Sequence, residues 1–141
     1  MGKKSVSAVI RRKVIFRADG FCEYCRSNSK FAESPYDVEH ILPKSKGGKS
    51  ELENLALACH GCNLFKAAKT EFFDSVSDKN VRLFNPRTDV WHNHFGWTSD
   101  FSEIIGLTAI GRATIEALDL NREGLINQRK MFYKYGKYPP E

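Results

Sequence analysis

The chain has 141 residues, of which 41% are hydrophobic and 12% aromatic, a globular composition that excludes a low-complexity or disordered protein. Its 22 Lys and Arg residues outnumber 17 Asp and Glu residues, and the formal net charge of +5 favours a polyanionic partner. The opening segment lacks the apolar run of a signal peptide, and no segment approaches the roughly 18 apolar residues of a membrane span. We therefore expect a cytoplasmic protein without membrane contact.

The basic residues fall into three groups along the chain. Each group, taken alone, is equally compatible with a solvated helix face and with a surface that binds a polyanion. The groups are Lys3, Lys4, Arg11, Arg12, Lys13 and Arg17; then Lys44, Lys46, Lys49, Lys66 and Lys69; then Arg122, Arg129, Lys130, Lys134 and Lys137.

The first predicted element is a short amphipathic helix. Apolar residues recur at helical spacing over residues 7–18, and Gly20 is expected to end the helix. The spaced residues are Val6, Val9, Ile10 and Val14. This helix leads directly into the first cysteine of the chain.

The next elements are predicted in the order strand, loop, strand, helix. Residues 36–42 are typical of a strand that Pro43 stops, and the basic, glycine-bearing residues 44–50 predict a surface loop. A second strand is predicted over about residues 52–57. The following segment CHGCNLFKAAK predicts a tight turn that opens a helix ending near Lys69.

All four cysteines occur in two C-x2-C pairs, Cys22 with Cys25 and Cys59 with Cys62, with 33 residues between the pairs. Two such pairs can aim four sulfurs at one ion and complete a closed tetrahedral zinc site. Disulfides are unexpected in a reducing compartment, and a redox C-x-x-C would explain only one pair. Because a closed site has no open position for substrate, we expect the zinc to stabilise the fold and not to catalyse.

After the first cysteine pair, the segment VEHILPKSKGG followed by LENLALACHGCN, which includes the second pair, resembles the HNH endonucleases. Asn54 lies 14 positions and Asn63 lies 23 positions after His40. The matching residues are Glu39, His40, Asn54, Asn63 and Lys66. The resemblance covers residues 20–70 and implies an α+β fold, a ββα-metal nuclease core stapled by the four-cysteine zinc site.

The resemblance also implies roles for these residues. His40, with an ordinary pKa of about 6.5, would be the general base that activates water. Glu39 and Asn63 would hold a catalytic cation, and their hard oxygen ligands suit Mg2+ first, or Mn2+. Asn54 would tie the loop so that His40 points inward. The lysines expected to contact nucleic acid are Lys44, Lys46, Lys49 and Lys66.

The chain departs from the family pattern at both outer positions. Glu39 stands where His or Asp is often found, and Asn63 stands where the last His would be, but both replacements occur among relatives. Consecutive strand residues point to opposite faces, so Glu39 and His40 converge only where the strand twists or bulges. Asp37 shares the face of Glu39 and is a rival ligand or a partner of the ligands. His60 is expected to face solvent or phosphate.

Residues 1–72 are predicted to form the nuclease core, and residues 73–141 a mainly helical extension packed on it. In the extension, FSEIIGL predicts a short strand, Thr108 can cap a helix, and Asn121 can cap a final helix to about Tyr135. The segment LFNPRTDVWHNHFGW resembles the extension of small stand-alone bacterial HNH proteins.

The extension also contains the letters H, N and H in succession, at residues 92–94. Trp91, Phe95 and Trp97 surround them, which indicates an aromatic core segment. We therefore interpret the literal triplet as a coincidence of spelling.

Taken with these residues, the resemblance implies an HNH endonuclease that hydrolyses DNA phosphodiester bonds with a divalent metal. RNA is the alternative substrate, and a monomer and a homodimer are both compatible with the sequence. The alternative function is a non-catalytic, zinc-stabilised module that binds nucleic acid through its basic helices. A structural subunit of a larger complex is a third hypothesis, which predicts neither cleavage nor strongly salt-dependent binding.

Overall fold

The computed structural model describes residues 6–136. Lys3, Lys4 and Lys137 of the predicted basic groups lie outside the described residues, as do the outer ends of the predicted segments 1–72 and 73–141. Internal contacts divide the chain into two compact units, Met1–Ala68 and Lys69–Glu141. Each unit combines helices with small antiparallel sheets, which confirms the mixed helix and strand composition. Within residues 6–136, no helix combines the length and the apolar character that crossing a membrane requires.

Over residues 6–68, the first unit is built on one two-stranded antiparallel sheet. Asp37 pairs with Ala58 at one end of the sheet, and His40 pairs with Leu55 at the other. All four residues of the second strand are buried, so this strand forms the centre of the unit's core. The elements are helix α1 (Ala8–Ala18), strands β1 (Asp37–His40) and β2 (Leu55–Ala58), and helix α2 (His60–Lys66).

Helix α1 begins after Ser7, whose hydroxyl oxygen accepts a hydrogen bond from the amide of Ile10 at 3.2 Å. The helix ends at Ala18 and is capped by Asp19, which adopts a left-handed conformation one residue before the predicted Gly20. Two arginines of this helix donate to main-chain carbonyls. Arg11 reaches Tyr36 at 2.6 Å, and Arg17 reaches the carbonyls of residues 52 and 55 at 2.9 and 2.7 Å. Both therefore satisfy backbone groups of the first unit.

Over residues 69–136, the second unit contains two hairpins and three helices. Its elements are β3 (Glu71–Asp74), β4 (Lys79–Arg82), α3 (Trp91–His94), β5 (Phe95–Trp97), β6 (Ile104–Gly106), α4 (Ala109–Leu118) and α5 (Glu123–Lys134). Strands β3 and β4 pair with each other, as do β5 and β6. The sequence predicted mainly helices with one short strand at β6, and it missed the hairpin of β3 and β4 and the strand β5.

The sequence predicted which residues cap the starts of the last two helices, α4 and α5. The hydroxyl oxygen of Thr108 accepts from the amide of Gly111 at 3.0 Å, which confirms Thr108 as the cap of α4. The cap predicted at Asn121 is wrong, because α5 begins at Glu123. The amide side chain of Asn121 instead bonds both main-chain groups of Ile104, at 2.7 and 2.9 Å. Asn121 thereby completes the backbone pairing of β6.

Residues 92–94 lie in the short helix α3, among aromatic side chains as predicted. The ring of Trp91, which is 7% exposed, lies 5.0 Å from Phe95 and 5.4 Å from Trp97 between centroids. The Nδ1 atom of His94 is 2.7 Å from the hydroxyl of Thr108, whereas His92 is exposed. The two histidines thus have different surroundings.

A close approach of backbone at Gly111 provides a test of packing in the second unit. A Cβ at this position would overlap the main-chain carbonyl oxygen of His94. We expect Gly111→Ala to lower the free energy of unfolding by about 1–3 kcal/mol, measured by urea denaturation. Gly124→Ala is the matched control. Apart from its chain neighbours and the backbone of its own helix, no described atom lies within 4 Å of the added Cβ, and alanine there should stabilise α5 by up to about 1 kcal/mol. Equal effects of the two substitutions would contradict this account.

Candidate active site

The four cysteine sulfurs of the first unit form one cluster. All four sulfurs lie within 4.8 Å of one another, and the Sγ atoms of Cys25 and Cys59 are 3.7 Å apart. A zinc ion bonded to four thiolates at about 2.3 Å holds the sulfurs about 3.8 Å apart. The sulfur cluster, Cys22, Cys25, Cys59 and Cys62, therefore has the dimensions of a tetrahedral zinc site.

Both cysteine turns have the form expected of metal-binding turns. The amide of Cys25 points at the Sγ of Cys22, and the amide of Cys62 points at the Sγ of Cys59, each at 3.4 Å. Arg26 closes the first turn in a left-handed conformation, with a φ of 67°. Burial raises the pKa of Cys22, and four thiolates packed this closely would repel one another, so a divalent cation between them would stabilise the set. The donor set fits zinc.

A short chain of hydroxyl groups supports the sulfur cluster. The Oγ of Ser27 lies 3.1 Å from the Sγ of Cys25 and 2.8 Å from the hydroxyl of Tyr36. Because a thiolate only accepts, Ser27 would donate to Cys25 and Tyr36 would donate to Ser27. Burial raises the pKa of Tyr36, so its hydroxyl keeps the proton that it must donate. Such outer contacts orient metal ligands.

Asn54 ties together both ends of the loop between β1 and β2. Its Oδ1 accepts from the amide of Leu42 at 2.8 Å, and its Nδ2 donates to the carbonyls of Leu42 and Lys49, each at 3.0 Å. Gly48 packs so closely that a Cβ would overlap the carbonyl oxygen of Leu42. The loop after His40 is therefore fixed by one side chain and one glycine.

His40, the last residue of β1, is partly buried beside this loop. Its Nε2 lies 2.8 Å from the Oγ of Ser50. Burial, and secondarily the charge of Lys44, lower the pKa of His40 from its ordinary value. A lowered pKa favours the neutral form of the ring at pH 7, which is the form that can accept a proton. The sequence carried no sign of Ser50, a loop serine ten positions further along the chain.

Glu39 lies in the core and forms a buried ion pair. Its side chain is 3% exposed, its Oε1 accepts from the hydroxyl of Tyr24 at 2.7 Å, and its Oε2 lies 2.7 Å from the Nζ of Lys66. Lys66 is 2% exposed and also donates to the carbonyl of Ile41 at 2.9 Å. Burial raises the pKa of Glu39, and Lys66 partly offsets this.

The structure differs from the sequence prediction at Lys66. Its ammonium group was expected to neutralise a phosphate, but it is enclosed between Glu39 and a main-chain carbonyl, where solvent and phosphate do not reach it. The other three predicted lysines, Lys44, Lys46 and Lys49, are exposed on the loop. This loop is therefore the basic surface next to His40.

Asn63 contacts Asp37 and not Glu39. The Nδ2 of Asn63 donates to the Oδ2 of Asp37 at 3.0 Å, and the Nδ1 of His60 lies 3.1 Å from the same oxygen. The side chain of Asp37 is 31% exposed and that of His60 is 69% exposed. Across residues 6–136, no hydrogen bond or ion pair joins His40 to Glu39 or to Asn63. The predicted site residues thus fall into three separate sets of contacts. His40 contacts Ser50, Glu39 contacts Tyr24 and Lys66, and Asn63 contacts Asp37, which also contacts His60.

Comparison with protein families identifies the segment that carries these residues. Residues 22–69 match the family model described as HNH endonuclease. This segment belongs to the HNH endonuclease family. The HNH segment begins at the first cysteine of the sulfur cluster and contains β1, β2 and α2. Comparisons with curated proteins and with solved structures gave no match.

The sulfur cluster predicts how the protein responds to loss of metal. We expect one zinc ion per chain by atomic emission, and unfolding of the first unit, followed by circular dichroism, when a strong chelator removes it. Ser27→Ala should keep the zinc but bind it about 10- to 100-fold more weakly, because Cys25 loses its hydrogen-bond donor. A wild-type chain that is equally stable with and without the chelator would contradict the zinc assignment.

The environment of His40 predicts its titration. Its ring should titrate below the ordinary pKa of about 6.5, measured by NMR of the imidazole in the absence of DNA. Lys44→Ala should raise this pKa, because it removes a positive charge that disfavours protonation. Lys46→Ala, a change of the same charge in the same loop, should raise it less. An unchanged pKa in Lys44→Ala would show that burial alone lowers it.

Proposed function

We propose that this chain is a metal-dependent endonuclease that hydrolyses DNA phosphodiester bonds, with His40 as the general base. The observation that carries the proposal is the partly exposed ring of His40 at the end of β1, inside the segment that matches the HNH family, where burial lowers the pKa of the ring. A neutral imidazole at the protein surface is suited to take a proton from water at neutral pH.

The contacts of His40 suggest which nitrogen takes the proton. In the proposed arrangement, Nε2–H donates to the hydroxyl of Ser50, so Nδ1 carries the lone pair that accepts the proton of the attacking water. Asn54 positions the loop that contains Ser50 through its bonds to Leu42 and Lys49. The sheet supplies the histidine, and the loop fixes its ring.

The family implies a catalytic divalent cation in addition to zinc, and the donors around Asn63 fit it. Carboxylate and amide oxygens from β1 and α2 are the hard ligands that Mg2+ and Mn2+ prefer. The ligands would be Asn63 and a carboxylate of β1. The resemblance to the HNH family assigns Glu39 as this carboxylate. Such a cation would supply charge stabilisation for the phosphate during attack.

The exposed loop lysines support a nucleic-acid substrate. Lys44, Lys46 and Lys49 lie on the same loop as Ser50, close in sequence to the proposed base, and the chain has a net charge of +5. Phosphate contacts of this kind provide sequence-independent affinity that weakens with salt. They would hold a DNA backbone near His40.

A second candidate is a nucleic-acid-binding module without catalytic activity. The specific observation in its favour is that the described contacts do not join His40 to Glu39 or Asn63. Such a module would keep the salt-dependent binding of the loop lysines and would cleave nothing.

A plasmid-nicking assay separates the two candidates. We expect wild-type protein with Mg2+ or Mn2+ to nick supercoiled DNA, EDTA to stop nicking, and His40→Ala to slow it about 100-fold or more, because the base is lost. His92→Ala is the matched control, since this exposed histidine lies in the other unit, and it should nick at the wild-type rate. Binding without nicking under either metal would instead support the non-catalytic module.

A further inference from the structure

We propose that Asp37, His60 and Asn63 form the divalent-cation site of this chain, with Asp37 in place of Glu39 as its carboxylate. The inference rests on the proposed function, which requires such a cation. These three residues, the Asp37 cluster, combine a carboxylate, an imidazole and an amide at the junction of β1 and α2.

The spacing within the Asp37 cluster matches that of neighbouring metal ligands. The Oδ2 of Asp37 is 3.0 Å from the Nδ2 of Asn63 and 3.1 Å from the Nδ1 of His60. Around an octahedral ion with bonds of about 2.1 Å, adjacent ligands lie about 3.0 Å apart. Coordination requires the Asn63 amide to turn over, which places its Oδ1 at the position of Nδ2, and His60 to present the lone pair of Nδ1.

Exposure distinguishes the two carboxylates of β1. Asp37 is 31% exposed and adjoins the 69% exposed ring of His60, so an ion that also contacts a phosphate can approach from solvent. Glu39 is 3% exposed, with Tyr24 on one oxygen and Lys66 on the other. Drawing Glu39 to a metal would leave the buried ammonium of Lys66 without its counter-ion, which is unfavourable. Asp37 can bind a cation without that loss.

His60 adds selectivity between metals. Imidazole nitrogen suits transition metals better than Mg2+, which prefers oxygen ligands alone. A site with His60 should therefore favour Mn2+ over Mg2+. His60 lies between Cys59 and Cys62, so the turn that would carry two zinc ligands also positions this imidazole.

Mn2+ titration of the zinc-loaded, full-length protein, followed by electron paramagnetic resonance, tests the inference without relying on activity. We expect Asp37→Asn to weaken Mn2+ binding by at least about ten-fold. His60→Ala should weaken Mn2+ binding more than Mg2+ binding, with Mg2+ measured by competition. Glu51→Gln, which removes an exposed carboxylate of the same unit, is the matched control and should bind as the wild type does.

Glu39→Gln decides between the two carboxylates. Because this substitution breaks a buried ion pair, Glu39→Gln combined with Lys66→Met provides a neutral pair if the single variant does not fold. Retained Mn2+ affinity in either folded variant supports Asp37. Loss of affinity there, or wild-type affinity in Asp37→Asn, overturns the inference. Wild-type protein that nicks DNA while Asp37→Asn nicks equally well would sink the inference alone, whereas wild-type protein that neither binds Mn2+ nor nicks would sink the proposed function.

Discussion

The convergence of two cysteine turns on one cluster of four sulfurs is the constraint on which the first unit depends. The chain between the two cysteine turns forms a short hairpin with long connections, so few of its residues can contribute to a hydrophobic core. Residues inside the first turn reach from the sulfur cluster into the hairpin. Glu23 pairs its main chain and its carboxylate with Leu57 of β2, and Tyr24 donates to Glu39 of β1. Loss of the cluster would therefore release both strands as well as the turns.

The buried ion pair of Glu39 and Lys66 is the second interaction that holds the first unit together. An isolated buried charge is unfavourable, so each of these side chains requires the other. The hydroxyl of Tyr24 donates to Glu39, and Lys66 donates to the carbonyl of Ile41. Together these contacts join the first cysteine turn, β1 and α2. The ion pair gives Glu39 and Lys66 a structural role in the first unit.

The parts of this architecture that the sequence could predict are those set by local spacing. The two C-x2-C pairs predicted the sulfur cluster, and Thr108 predicted the start of α4, because turn and cap geometry depend on a few adjacent residues. The directions of long side chains depend on distant partners instead. The spacing predicted that Lys66 lies one helical turn after Asn63. It could not predict that Lys66 is buried against Glu39. Asn121 likewise resembled a cap, yet its amide pairs with a strand 17 positions earlier in the chain.

The alternation of β1 explains how the proposed site divides its tasks. Asp37 and Glu39, two positions apart, both reach side chains of α2, as residues on one face of a strand should. His40 is the last strand residue, and the loop holds its ring through Ser50, while Asn54 and Gly48 fix the loop against Leu42. The proposed base therefore depends on the loop, and the proposed cation ligands depend on the sheet, α2 and the cysteine turn. A change confined to the loop can displace the base while leaving the cation ligands in place, so the two components can be altered separately.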